Sequence, residues 1–266
     1  ERRPTGERPD KPPFPKGNPS RQTRLVVKLQ EKAATKIRND MDNLFDLTGK
    51  TALVTGASSG LGADAARAYA KYGADVALLA RRKDKLEALA EEIRRTGRKA
   101  FPVMCDVSDE GSVREAVNRA ASEFGGIDIL LNDAGTAVPG TMETLSAEDW
   151  DRAMNIIVRG MFLMCKYIVP GMRARKYGKI VNIASVNAVI ADKEPALARH
   201  VYNTSKAAVR GLTIALAASY MLDNITVNSI GPGLFESEMT ENTLFANAAF
   251  LKTYNAIAPA GRPGER

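Results

Sequence analysis

The chain has 266 residues and a formal charge of +7, from 38 Lys and Arg against 31 Asp and Glu, and 44% of its residues are hydrophobic. It contains no run of about 18 apolar residues that would suggest a membrane span, and its two cysteines have neither metal-ligand spacing nor a disulfide pattern. These features favour a globular cytoplasmic protein with no membrane partner and no metal.

The excess positive charge lies in the N-terminal segment. Residues 1–40 hold 11 Lys and Arg against 5 Asp and Glu, together with six of the 13 prolines, whereas residues 41–266 hold 27 against 26. A Pro-rich, charged segment cannot build a core, so residues 1–40 are predicted to be a disordered or non-native tail on a domain spanning 41–266. The native protein is expected to begin at or near Met41. Because aromatic residues are not interleaved with the basic ones, no nucleic-acid partner is expected.

Short apolar strands alternate with helical patterns along the domain. The predicted strands are 51–55, 75–80, 101–107, 127–131, 179–184 and 225–230. The predicted helices are 61–72, 84–95, one from an N-cap at Ser108 to 124, one from an N-cap at Ser146 to about 167, and 201–221. Strands that are apolar on both faces and separated by helices predict an α/β fold with a doubly wound parallel sheet, as in Rossmann domains.

A glycine-rich loop joins the first strand to the first helix. Residues 55–62 read TGASSGLG, in which glycines allow a tight turn and a close approach to a pyrophosphate at a helix N-terminus. The residues predicted to bind a dinucleotide here are Gly56, Ser58, Ser59, Gly60, Leu61 and Gly62. A plain tight turn between strand and helix is the alternative.

Two arginines stand at the end of the second strand, where a dinucleotide fold usually carries an acidic residue for the ribose 2′-hydroxyl. Arg81 and Arg82 offer guanidinium groups that suit a 2′-phosphate. The sequence therefore favours NADP(H) over NAD(H), with an ordinary basic surface as the alternative.

Further motifs follow in a recognisable order. They are CDV at 105–107, NDAG at 132–135, a serine after the fifth strand, YNTSK at 202–206 and GPG at 231–233. With the glycine-rich loop, they make the chain resemble the short-chain dehydrogenase/reductase family from about Phe45 to its last residue. The resemblance implies further cofactor contacts at Asp106, Val107, Asn132, Ala134, Gly135, Pro232 and Gly233.

Tyr202 and Lys206 are the candidate catalytic pair. Residues four apart share a helix face, so the ammonium of Lys206 can lie near the phenol and lower its pKa, which suits a general acid/base. The resemblance implies that Ser185 hydrogen-bonds the oxygen of a small carbonyl or alcohol substrate. It also implies that Tyr202 and Lys206 contact the cofactor.

The sequence departs from the family pattern at several positions. Ile157 stands where the family usually has an Asn that orders a proton-relaying water, so weakened turnover is expected. Asp133 replaces a second usual Asn and is expected to disturb hydrogen bonds between sheet and loop. Ser185 and Tyr202 are 17 positions apart, with extra residues in Ala191–His200 that could shape the substrate pocket. His200 is interpreted as a surface or supporting residue.

The family usually continues past the C-terminal end of this sequence with a helix and a strand. This chain is therefore expected to be truncated, and a homodimer or homotetramer is expected when that end is present. Within the family, residues 236–263 look most like gluconate 5-dehydrogenase-type enzymes acting on keto-sugar acids such as 5-ketogluconate. The alternatives are a 3-oxoacyl-carrier-protein reductase and a noncatalytic NADP-binding regulatory protein.

Overall fold

The computed structural model describes residues 44–191, 193 and 197–266, and the predictions for the tail and for Met41 lie outside this range. Leu47–Arg266 forms one compact unit, and all the elements below belong to it.

Six parallel strands form one sheet. They are β1 (Thr51–Thr55), β2 (Asp75–Ala80), β3 (Ala100–Met104), β4 (Ile129–Asn132), β5 (Gly178–Ile183) and β6 (Ile225–Ile230). Their order is β3-β2-β1-β4-β5-β6, and the register pairs Thr51 with Asp75 and Ala52 with Ile129. This order confirms the doubly wound α/β fold.

Seven α-helices accompany the sheet in the described residues. They are α1 (Gly60–Lys71), α2 (Lys83–Arg94), α3 (Glu110–Phe124), α4 (Ala147–Met154), α5 (Gly160–Arg175), α6 (His200–Tyr220) and α7 (Ala248–Ile257). A π-helical turn, Asn155–Arg159, joins α4 to α5 without a break.

Two apolar cores cover the two faces of the sheet. On one face, α1 and α2 pack side chains such as Ala66 and Leu89 against Val54 and Leu78. On the other face, α3 and α5 pack against the sheet in a cluster that includes Leu163. Burial of both faces explains why β1 and β2 are apolar without alternation.

The strand order reverses between β1 and β4, whose chain continuations lead to opposite sides of the sheet. In sheets of this kind, ligands bind in the crevice beyond the carboxyl ends of the strands at the reversal point. The glycine-rich loop follows β1 and the NDAG segment begins at the end of β4. The fold therefore brings both motifs to one crevice.

Several predicted boundaries need correction. The N-cap of α3 is Asp109, whose carboxylate accepts from the Ser112 N–H at 2.6 Å, and not Ser108. The Ser108 hydroxyl instead donates to Asp106, because an aspartate two residues earlier competes for it. Ser146 does cap α4, accepting from the Asp149 N–H at 3.0 Å.

Two helical segments exceed the prediction. The helix from Ser146 does not end near residue 167 but runs through the π-turn and past Pro170 to Arg175. Helix α7 was not predicted, because the short apolar stretch AAFL has no clear helical repeat of its own. Both helices border the crevice or the elements that support it.

One helical run, Ala147–Arg175, is long and apolar enough to cross a membrane by length and composition. Half of its most apolar window is buried within the structure, as in the core helix of a folded domain. Length and composition alone are weak support for a membrane span.

Candidate active site

A cleft of about 450 Å³ opens at the carboxyl ends of the strands. It is lined by the glycine-rich loop, the end of β2, the start of α6 and the segment after β6. The predicted site residues that line it are Gly56, Ser58, Ser59, Gly60, Leu61, Arg81, Arg82, Asp106, Val107, Ala134, Gly135, Ser185, Tyr202, Lys206, Pro232 and Gly233. The structure thus gathers nearly all of them around one space.

The glycine-rich loop closes tightly on itself at two positions. Gly56 has φ +71°, a left-handed conformation that favours glycine. A Cβ on Gly62 would lie 2.6 Å from the Gly56 carbonyl oxygen and 2.7 Å from Asp133 Oδ2. The loop therefore leaves no room for a side chain at position 62. Gly62 packs against the Gly56 backbone and Asp133 and does not line the cleft.

Arg82 is held over this loop. Its guanidinium donates to the hydroxyl oxygens of Ser58 and Ser59, each at 2.9 Å, and pairs with the Glu238 carboxylate at 2.7 Å. Lys85 also pairs with Glu238. Together the two cations hold the pKa of Glu238 down at about 2, with Lys85 as the larger cause. An anionic group already stands beside the predicted 2′-phosphate site.

Ser185, Tyr202 and Lys206 meet at the wall of the cleft. Ser185 follows β5, and its hydroxyl accepts from the Asn187 N–H at 3.1 Å and hydrogen-bonds Tyr202. Lys206, one turn along α6, lies with its Nζ 5.6 Å from the centre of the Tyr202 ring. The same Nζ donates to the Ile183 carbonyl oxygen at 2.7 Å. The three predicted catalytic residues are therefore neighbours.

The expected lowering of the Tyr202 pKa is wrong for this structure. Burial raises the pKa of the Tyr202 phenol, against smaller lowering effects from Ser185 and Arg199. Burial also lowers the pKa of Lys206 to about 8. Because the ammonium loses its proton before the phenol titrates, Lys206 no longer carries the charge that would stabilise the phenolate. Because burial raises the pKa of the phenol above its ordinary value of about 10, Tyr202 is protonated at neutral pH.

Asp133 lies between the loop and the lysine. Burial raises the pKa of its carboxyl to about 6, while the charge of Lys206 and the Gly62 N–H favour the carboxylate. The expected disturbance of the sheet is not seen, since the backbone N–H groups of Asp133 and Ala134 donate to Thr55 Oγ1 at 3.0 and 3.1 Å. Nothing in the sequence indicated the electrostatic link between Asp133 and the two residues Tyr202 and Lys206.

Asn132 is not brought to the cleft. It is buried in the sheet, where its Nδ2 donates to Asn182 Oδ1 at 3.0 Å, and Asn182 Nδ2 donates to Thr213 Oγ1 at 2.9 Å. Its position suits a link between β4, β5 and α6 better than a cofactor contact. Asp106 does line the cleft, with its Oδ1 already accepting from the Ser108 N–H at 2.9 Å.

Ile157 lies in the cluster against which Tyr202 packs. It is fully buried in the π-turn and packs in a cluster with Met161, Ala184 and Val209, against which the Tyr202 ring rests. Asn155 is exposed on the other side of the turn and does not take the place of the family's Asn. The effect of Ile157 on turnover stays a prediction.

The loop before α6 supplies two residues of different character. His200 is exposed and lies near Glu143, away from the cleft lining, which agrees with a surface residue. Arg199 lines the cleft and was not singled out from the sequence. Its position three residues before Tyr202, one helical turn away, was the available signal. For Glu238 no signal placed it opposite Arg82.

Most of the chain matches a known protein family. A family model described as short chain dehydrogenase matches residues 50–247. Gluconate 5-dehydrogenase of Gluconobacter oxydans (strain 621H) is 37% identical over 223 residues, covering 84% of this chain and 85% of the relative.

Solved structures give the same grouping. A gluconate 5-dehydrogenase from Burkholderia cenocepacia J2315, in complex with NADP and tartrate, superimposes with a TM-score of 0.78 at 34% identity, covering 83% of this chain and 85% of that one. L-Sorbose reductase from Gluconobacter frateurii, complexed with NADPH and L-sorbose, gives 0.74 at 33% identity, covering 83% and 86%.

Proposed function

Because this chain belongs to the short-chain dehydrogenase/reductase family and is an oxidoreductase acting on CH–OH groups, we propose that its cofactor is NADP(H) and its substrate a keto-sugar acid such as 5-ketogluconate. The observation that carries the cofactor proposal is Arg82, fixed over the glycine-rich loop by Ser58 and Ser59. Two of the similar solved proteins are complexed with NADP or NADPH, and one of these also with tartrate, a dicarboxylic acid. Both complexes support the cofactor, whereas support for an acid substrate comes from the tartrate complex and from the similarity to gluconate 5-dehydrogenase.

The cleft fits a dinucleotide phosphate. Gly56 and Gly62 keep the loop backbone compact, so a pyrophosphate can approach the N-terminus of α1. Arg81 and Arg82 would hold the 2′-phosphate, and Lys206 and Tyr202 would hold the nicotinamide end. When bound, NADP(H) supplies or accepts the hydride.

The protein's own residues handle the proton and the orientation of the substrate. Tyr202 donates its phenolic proton to the carbonyl oxygen as that oxygen gains negative charge, and Ser185 donates a second hydrogen bond to it. Lys206 holds its place through the Ile183 carbonyl. In the reverse direction Tyr202 must first lose its proton.

The raised pKa of Tyr202 sets the pH dependence. Carbonyl reduction, which needs the protonated phenol, is expected to be favoured at pH 7. Alcohol oxidation needs the phenolate, so its kcat/KM is expected to rise from pH 7 towards pH 10 with a logarithmic slope near 1. Steady-state rates in both directions across this range measure the effect.

Asp133 provides a control for this assignment. Its negative charge raises the pKa of Tyr202, so Asp133→Asn is expected to move the oxidation profile to lower pH. A wild-type oxidation profile that is already level below pH 8 would mean that the pKa of Tyr202 is lowered, contrary to the structure.

Arg82 and Glu238 are expected to change NADPH affinity in opposite directions. Arg82→Ala removes a guanidinium that can pair with the 2′-phosphate, so the Kd of NADPH should rise by about 10–100-fold and that of NADH by much less. Glu238→Gln removes the carboxylate that competes for Arg82 and Lys85, so NADPH should bind several-fold more tightly. Fluorescence titration with both cofactors measures these changes.

Matched controls exist for both variants. Lys83→Ala removes a neighbouring exposed cation outside the cleft lining, and Glu236→Gln removes a carboxylate two residues from Glu238. If Arg82→Ala raised the Kd of NADPH and of NADH by the same factor, Arg82 would not be the residue that binds the 2′-phosphate.

A further inference from the structure

Arg199 carries a buried guanidinium nitrogen without a hydrogen-bond partner. Its Nη2 is shielded from solvent and makes no hydrogen bond to any residue that the structure describes. No ion pair joins Arg199 to an Asp or Glu within residues 44–191, 193 and 197–266. Arg199 is half-buried as a residue, but an unpaired donor on a charged group is costly where it is shielded from solvent, so this nitrogen is suited to a ligand.

The backbone around Arg199 is held firmly. The Gly140 N–H donates to the Ala198 carbonyl at 2.8 Å and the His200 N–H donates back to the Gly140 carbonyl at 3.1 Å. Asn203 Nδ2 donates to the carbonyl oxygens of Asn187 and Ile190 at 3.0 and 2.8 Å, which fastens the neighbouring loop to α6. The backbone that carries Arg199 is therefore fixed on both sides of the residue.

Arg199 also lines the same cleft as Ser185 and Tyr202, and it stands three residues before Tyr202 in the chain. Its positive charge acts on Tyr202 by lowering the pKa of the phenol. A substrate whose carbonyl oxygen meets Tyr202 and Ser185 must place a neighbouring part of its chain near Arg199. A guanidinium presents paired donors in one plane, which match the oxygens of a carboxylate or a phosphate.

We propose that Arg199 is the anion-binding residue of the substrate site, and that the substrate carries a carboxylate or phosphate a few bonds from its carbonyl group. This inference rests on the proposed oxidoreductase function and adds to it the residue that binds the anionic group of the substrate. It assigns Arg199 to substrate specificity, whereas the proton transfer belongs to Tyr202.

Matched pairs of ketoses separate the anion from the rest of the substrate. L-Sorbose carries a hydroxymethyl group where 5-keto-D-gluconate carries its carboxylate, and D-fructose is the neutral counterpart of D-fructose 6-phosphate. Steady-state reduction of all four with NADPH and NADH is compared for the wild type, Arg199→Met and Arg199→Lys. Lys193→Met, which removes an exposed charge from the same loop, serves as control.

The wild type is expected to prefer the anionic member of at least one pair. Arg199→Met should raise KM for that anion by about 10–100-fold while leaving kcat and the neutral member little changed, and Arg199→Lys should recover part of the loss. Lys193→Met should behave as the wild type. A rise in KM confined to 5-keto-D-gluconate would indicate a carboxylate site, and a rise confined to D-fructose 6-phosphate would indicate a phosphate site.

A stability measurement distinguishes binding from a structural role. Because Arg199 Nη2 has no hydrogen-bond partner among the described residues, Arg199→Met should leave the Tm unchanged or raise it. Equal losses for anionic and neutral ketoses, or reduction of both with equal kcat/KM by the wild type, would overturn this inference and leave the oxidoreductase intact. Absence of any carbonyl reduction by a folded wild type would overturn the proposed function, and this inference with it.

Discussion

Replacing Tyr202 by phenylalanine is expected to lower kcat for carbonyl reduction by about 10²–10⁴-fold, the usual contribution of a positioned general acid. Phenylalanine keeps the ring that packs against the Ile157 cluster and removes only the hydroxyl that hydrogen-bonds Ser185. NADPH affinity and Tm should therefore change little. Steady-state kinetics with the keto acid that the wild type reduces best give the change in kcat. Cofactor titration gives the change in NADPH affinity.

Tyr177→Phe is the matched control for this change. Tyr177 precedes β5 at the opposite end of the sheet, where its ring lies 4.3 Å from Lys50 Nζ. The control should retain full activity. If Tyr202→Phe turns over substrate at a rate similar to the control, another group supplies the proton and Tyr202 is not the general acid.

A single methyl group at position 62 is expected to disable the cofactor loop. In Gly62→Ala the added Cβ meets the Gly56 carbonyl oxygen at 2.6 Å and Asp133 Oδ2 at 2.7 Å, so the loop or Asp133 must move. Overpacking of this kind costs about 1–3 kcal/mol of unfolding free energy. NADPH affinity should fall more than about tenfold, since the displaced backbone is the part that faces the pyrophosphate.

Gly211→Ala tests whether the effect belongs to position 62. Gly211 lies in α6 with open space where the methyl group of an alanine would lie, so this change should stabilise the protein by about 0.5–1 kcal/mol through helix propensity. Thermal unfolding and NADPH titration of both variants give the comparison. Unchanged cofactor affinity in Gly62→Ala would contradict the tight closure of the loop.

Much of the fold follows from local patterns in the sequence. Apolar runs such as TALVT and DVALLA match β1 and β2 residue for residue, because strands buried on both faces have few alternatives. Helix α7 was not predicted because its few apolar residues form no clear helical repeat, and the helix is held by contacts with distant parts of the chain. For example, the Tyr254 hydroxyl accepts from the Leu234 N–H at 3.2 Å.

The sequence motifs predicted which residues meet at the site. They did not predict the pKa shifts and ion pairs of those residues. The spacing of Tyr202 and Lys206 placed them on one helix face, yet the direction of the Tyr202 pKa depends on burial, which a sequence does not display. The ion pair of Arg82 with Glu238 joins segments far apart in sequence. That Arg199 Nη2 has no partner among the described residues likewise depends on the folded structure. The cytoplasmic location and the homodimer or homotetramer stay predictions.

The central claim is that this protein reduces a keto-sugar acid with NADPH, and the most direct measurement compares kcat/KM for NADPH and NADH with 5-ketogluconate as substrate. We expect turnover with NADPH and a preference over NADH of about tenfold or more, which corresponds to about 1.4 kcal/mol. Acetoacetyl thioesters in the same assay test the acyl-carrier reductase alternative. Tight NADPH binding without turnover of any carbonyl substrate would contradict the proposed reduction of a keto-sugar acid and favour a noncatalytic NADP-binding protein.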